Sequence, residues 1–188
     1  MAPSTKKIDV YLERGTKRTF AGALDWPGWC RSGHDEPTAL QALLDYGPRY
    51  DRVLRTTALG FQTPTEVSAF KIIERLAGGT TTDFGAPGAT PDRDTKPVDA
   101  TELRRFQTLL NACWQAFDEA IRAAQGKELR KGPRGGGREL DKMIEHVLGA
   151  DAAYLSGLGW KLKPGDAKDM RQVRQAILEA LASAIENP

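Results

Sequence analysis

RELDKMIEHVLGADAAYLSGL, residues 138–158, is the stretch whose periodicity decides the fold. Leu140, Met143, Ile144, Val147, Leu148, Tyr154, Leu155 and Leu158 fall near the i, i+3, i+4, i+7 spacing of one helical face, and Glu139, Asp141, Lys142 and Glu145 lie mostly opposite. The spacing predicts a core helix. His146 stands beside the apolar stripe and, with His34, is one of two histidines in the chain, which makes it the first candidate for chemistry. A lone helical histidine is more commonly a packed or boundary residue than a ligand.

Working outward, the same period recurs on both sides. Asp99 and Glu102 fit a capping box, after which Leu103, Phe106, Leu110, Cys113, Trp114, Phe117, Ile121 and Ala124 continue one stripe to Gly126, a helix of about seven turns. A third helix begins near Asp166, with Met170, Val173, Ile177, Leu181 and Ile185 facing inward. Three antiparallel helices normally seek a fourth, so residues 99–188 read as an incomplete four-helix bundle. Its open position is expected to be covered by the N-terminal half or by another chain.

LLNACWQAFDEAI at 109–121 followed by ELDKMIEHVLGADAAYL at 139–155 resembles the DinB-like superfamily of four-helix bundles. In such proteins a histidine of the second helix joins two others to hold a divalent metal, zinc or nickel, and several members are thiol-dependent transferases or isomerases. His146 matches that first ligand. The third helix contains no histidine, and His34 belongs to the N-terminal half. Asp141 and Asp151, five residues to either side, do not share the face of His146, and neighbouring Glu145 points elsewhere.

The first 76 residues follow a different period. Ile8, Val10 and Leu12 alternate with Asp9, Tyr11 and Glu13 as in a half-buried strand, and Arg14-Gly15 offers a turn into a return strand over 16–24. The Asp25-Trp26-Pro27-Gly28 turn leads to a third short strand at 29–32. Asp35 is placed to cap a helix entered through Pro37, with Leu40, Leu43 and Leu44 as its covering stripe and Gly47-Pro48 as its stop. A second helical segment over 50–59 follows, then a short helix capped by Thr63 and Glu66, then a returning strand carrying Phe70, Ile72 and Leu76. The expectation is a small antiparallel sheet with helical cover. The run LDWPGWCRSGHDEPTALQALL, 24–44, resembles the HicB-like domain, which implies binding of a small protein partner or oligomerisation. Trp26 and Trp29 are then the candidate partner or ligand surface, against the plainer reading of core or sheet-edge aromatics.

Residues 77–98, AGGTTTDFGAPGATPDRDTKPV, are dense in Gly and Pro and have almost no apolar periodicity, so they read as a linker or functional loop dividing a domain at 1–76 from one at 99–188. The other irregular segment, KELRKGPRGGGR at 127–138, is the one concentrated basic patch. Lys127, Arg130, Lys131, Arg134 and Arg138 there are candidate anion or RNA contacts, without the ending of a phosphate-binding P-loop.

Formal charge is +2 over 188 residues, with 28% charged side chains, so no global polyanion-binding surface is expected. No apolar run reaches membrane-spanning length, the N-terminus has no signal-like core, and the two cysteines, Cys30 and Cys113, read as reduced core thiols. The expected protein is a cytoplasmic α+β binding module without catalysis or cofactor, acting on a protein partner, a second copy or a small ligand. The rival expectations are a metal-dependent DinB-like thiol transferase or hydrolase, and RNA binding through the basic segment.

Overall fold

The computed structural model describes residues 7–130, 139–163 and 165–186, with side chains to residue 184. The chain is α+β and divides into two compact units, Met1–Pro97 and Val98–Pro188.

In the first unit, β1 (Ile8–Arg14), β2 (Thr19–Ala23) and β3 (Cys30–Gly33) form an antiparallel meander. The fourth strand, β4 (Phe70–Ala77), pairs parallel to β1, so the sheet order is β3-β2-β1-β4 and the sheet is mixed where the sequence suggested an antiparallel one. The cause is the long helix that intervenes: the chain leaves β3, crosses the sheet as α1 (Glu36–Leu54) and re-enters in the direction of β1. Asp35 caps α1 through the Thr38 amide at 2.9 Å, and Thr38 answers with its hydroxyl.

α1 does not stop at Gly47-Pro48. Gly47 sits where a Cβ would meet Thr63 at 3.0 Å and Trp29 at 3.6 Å, so its role is close packing and not termination. Pro48 deprives the Leu44 carbonyl of its helical donor, and beside that point the helix is tied to the core by the Trp29 indole N–H, which donates to the Leu43 carbonyl at 2.9 Å. Of the helical segment read at 50–59, Tyr50 to Leu54 are the end of this same helix and 55–59 are turns, and the helix capped by Thr63 and Glu66 is only a 3-10 turn over Val67–Ala69.

Val10 and Leu12 of β1 pair with Ala23 and Ala21 of β2, and this apolar face lies under Ala39, Leu40, Leu43, Tyr50 and Leu54 of α1. A register shift in β4 between the partners of Val10 and Tyr11 changes the face that β4 presents. Ile72 pairs with Val10 on the helix side, whereas Glu74 and Leu76 pair with Tyr11 and Glu13 on the other. Arg75 accordingly reaches the helix, bonding Glu36 at 3.0 Å.

That other face is covered by the segment read as a linker. α2 (Thr80–Phe84) and a 3-10 turn at Asp92–Thr95 form a strap tied to the sheet by carboxylates. Glu13, fully buried, accepts the Thr82 hydroxyl, the Gly88 amide at 2.9 Å and the Ala89 amide at 3.0 Å. Asp83 accepts the amides of Lys17 at 2.6 Å, Thr16 at 3.1 Å and Arg18 at 3.2 Å, and these bonds hold its carboxyl below the usual range. Glu74 takes the Asp92 amide, and Arg93 pairs with Asp25 at 3.0 Å. Beneath the strap Tyr11 packs over Gly22, where any Cβ would strike its ring, and burial pushes its hydroxyl up to about 12.

The second unit holds α3 (Ala100–Ala124), α4 (Leu140–Gly157) and α5 (Met170–Glu186), with α4 packed on α5 and α3 against α5. Asp99 caps α3 through the amides of Thr101 and Glu102, at 2.7 and 2.8 Å. Leu155, Ala176 and Ala180 form a buried cluster joined by Trp160, Leu162 and Ile177. The stripe read on α4 is not uniformly buried: Leu155 is enclosed, but Tyr154 is 77% and Leu158 53% exposed, because a stripe as wide as the one read exceeds what one neighbouring helix covers. On α3 the buried positions are Leu109 and Ala112, while Cys113 is exposed and Cys30 half-buried, so neither thiol is a core residue.

Candidate functional site

Trp29 is 0% exposed, stacked on Tyr50 at 5.8 Å and edge-on to Phe61 and Phe70, so it belongs to the core and presents no partner surface. Trp26 is half-buried at the rim of the same cluster, 4.9 Å from the Phe61 ring. The turn that carries both is closed by Gly28, whose φ of +85° favours glycine, and by the Tyr50 hydroxyl donating to the Pro27 carbonyl at 2.9 Å.

His146 is exposed on α4, and its neighbour Glu145 is engaged by Lys142 at 2.8 Å. Among the described residues no three His, Cys, Asp or Glu side chains gather as a metal-holding group. Lys127 and Arg130 are exposed beyond the end of α3, and Lys131, Arg134 and Arg138 lie outside the described residues.

What the structure does bring together is a polar groove of about 330 Å³ between α3 and α5. From α3 come Trp114, Asp118 and Arg122, at i, i+4 and i+8; from α5 come Arg171, Arg174 and Leu178, at i, i+3 and i+7. Each set is one helical stripe, so one face of each helix borders the groove. Arg174 grips Asp118 at two points, Nη1 to Oδ2 and Nη2 to Oδ1, both 2.8 Å. The Arg174 side chain is 14% exposed and its guanidinium carbon lies 5.5 Å from the centroid of the Trp114 ring, within cation–π range.

The electrostatics follow from this geometry. The bonds from Arg174 hold the Asp118 carboxyl below its ordinary range, and the charges of Arg174 and Arg122 act in the same direction. Asp151 of α4, which faces Trp114 and feels Arg174, is shifted upward because burial outweighs both. One arginine thereby couples groups of all three helices. The signal for this site was present in sequence as Asp118 and Arg122 and as Arg171 and Arg174, polar positions at helical spacing beside the apolar stripes, one of which carries Trp114. Attention to apolar periodicity passes over them.

A second pocket, in the first unit, is lined by Arg14, Thr19, His34, Asp35 and Glu36 among others. Its two carboxylates are already engaged, Asp35 by Thr38 and Glu36 by Arg75. Comparison with protein-family models, with curated proteins and with solved structures returned no match. Among the described residues no helix is long and apolar enough to cross a membrane.

Proposed function

We propose that this chain is a non-catalytic binding module that takes a small ligand or a protein partner, with the groove between α3 and α5 as the surface that receives it. One observation carries the reading: the two-point Arg174–Asp118 pair beside Trp114. A carboxylate held below its ordinary range by an arginine stays ionised near neutral pH, and an arginine does not give up its proton, so this pair orients and recognises without exchanging protons. Work in the cytoplasm and self-association through half-covered helical faces belong to the same proposal.

The family resemblances stand here as proposals too. A meander, a Pro27-Gly28 turn and an Ala- and Leu-rich α1 in that order support the HicB-like reading of the first unit, and three successive helices support the DinB-like reading of the second. Screening the full tag-free chain for ligand-raised unfolding temperature, with elemental analysis of the same preparation, tests the function. Ligand-dependent stabilisation without stoichiometric metal is expected. About one equivalent of zinc or nickel, lost in His146→Ala, would replace it with the metal-dependent thiol transferase or hydrolase.

A further inference from the structure

Three arginines and one carboxylate line the α3–α5 groove, and they are not equivalent. Arg174 is fixed to Asp118, and each of its Nη atoms keeps a second N–H after that pair is made. Arg122 and Arg171 are exposed in the same groove, and among the described residues neither guanidinium is bonded to a carboxylate. Among the described residues the one carboxylate lining the groove, Asp118, is therefore already bonded, while the guanidinium groups of Arg122 and Arg171 stay open to a further oxyanion. The groove also has a limited size: about 330 Å³ lies near the lower end of the range, roughly 300–1,000 Å³, typical of small-molecule sites.

We infer that the groove is a site for a small organic oxyanion, a carboxylate or a phosphate ester, held by Arg122 and Arg171 beside the fixed Arg174–Asp118 pair, with Trp114 and Leu178 packing on the ligand's carbon skeleton. This assignment rests on the binding-module reading and narrows it to a ligand class. Planar guanidinium groups match carboxylate and phosphate oxygens at two points, which gives directional recognition as well as charge attraction. The Arg174–Asp118 pair acts as a rigid wall, since a two-point pair fixes the arginine's orientation and removes a carboxylate that would otherwise repel the ligand.

Calorimetric titration of the full chain at low ionic strength with succinate, methyl phosphate and inorganic phosphate tests this, with choline and glucose as cationic and neutral probes. The carboxylate and phosphate arms separate the two sources of the oxyanion. Saturable one-to-one binding of at least one anion is expected, weakened roughly ten-fold or more in Arg122→Gln and in Arg171→Gln. Arg104→Gln, an exposed change elsewhere on α3, is expected to leave it intact, which separates a site from general charge. Equal weakening by all three variants, or none by the groove variants, would overturn the assignment. Saturable binding of choline or glucose with no anion bound would overturn the oxyanion while leaving the binding module standing. No ligand in this panel, and no stabilisation in the wider screen, would remove both.

Discussion

The two units differ in how they close. In Met1–Pro97 the helix face of the sheet and α1 enclose Val10, Leu12, Trp29 and Leu43 almost completely, and the opposite face is roofed by a strap whose buried acceptor, Glu13, has a donor for both of its oxygens. In Val98–Pro188 the buried apolar residues among those described are Leu109, Ala112, Leu155, Val173, Ala176 and Ala180, half of them alanines, and larger residues of the stripes stay half-exposed. A sheet with a helix on one face and a strap on the other satisfies itself. Between α3 and α5 the second unit closes in part with charge, through the Arg174–Asp118 pair and nearby Asp151. The first unit is closed mainly by apolar packing, the second in part by an arginine–carboxylate pair.

The largest effect expected from this contrast is at Trp29. Trp29→Ala removes an enclosed aromatic together with its bond to Leu43, and should cost about 3–5 kcal/mol in urea unfolding followed by far-ultraviolet circular dichroism. A cost under about 1 kcal/mol would mean the first unit is not closed around it.

Within the second unit the contrast can be read on a single helix turn. Leu155→Ala should cost about 2–5 kcal/mol, whereas Leu158→Ala, at a half-exposed position, should stay within about 0.5 kcal/mol. Similar costs at both positions would show that a partner or a second copy covers Leu158 in solution, which dilution would reveal.

Next in size is the strap. Glu13→Gln replaces a buried acceptor with an amide whose NH2 faces backbone donors, so a loss of about 1–3 kcal/mol is expected, with faster proteolysis within residues 78–97. Unchanged cleavage would mean the strap is held without it.

The smallest effects concern pH, and their signs oppose. Asp118 has a depressed folded value, so it contributes stability above its ordinary 3.8 and loses it as pH falls through the folded value. Asp118→Asn should therefore be destabilising at pH 7, by under about 1 kcal/mol given its exposure, with the difference closing in acid. Asp151 is raised by burial, so its ionised form is penalised in the fold and Asp151→Asn should be mildly stabilising at pH 7, the advantage vanishing as pH falls below 3.8. Thermal melts at pH 7 and pH 3 decide both signs.

Much of the architecture was legible in the chain. Period-two alternation at Ile8, Val10 and Leu12, the Asp35 and Asp99 caps and the three helices of the second unit all follow from local chemistry, and local chemistry survives folding. The failures have a common cause in tertiary context. Gly47-Pro48 reads as a stop until Trp29 is seen to bond the helix beside it. Residues 77–98 read as a linker or functional loop, and sequence does not decide between the two because their attachment is polar and long-range, through Glu13 and Asp83, and leaves no periodic trace. The bulge in β4 reverses a face without altering composition, so Leu76 lies opposite Ile72 despite sharing its parity. The groove was missed for a related reason. Its charged members are residues at helical spacing, which look like solvated faces until two helices present them to each other.

Hydrogen exchange of the full chain, read by mass spectrometry, tests the difference between the units most directly, because amide protection reports local opening. The slowest amides should fall in β1, β2 and α1, with α3, α4 and α5 exchanging faster and gaining protection when an oxyanion such as succinate is added. Equal protection of α3, α4 and α5 with β1 and β2 in the unliganded, dilute chain would contradict the account.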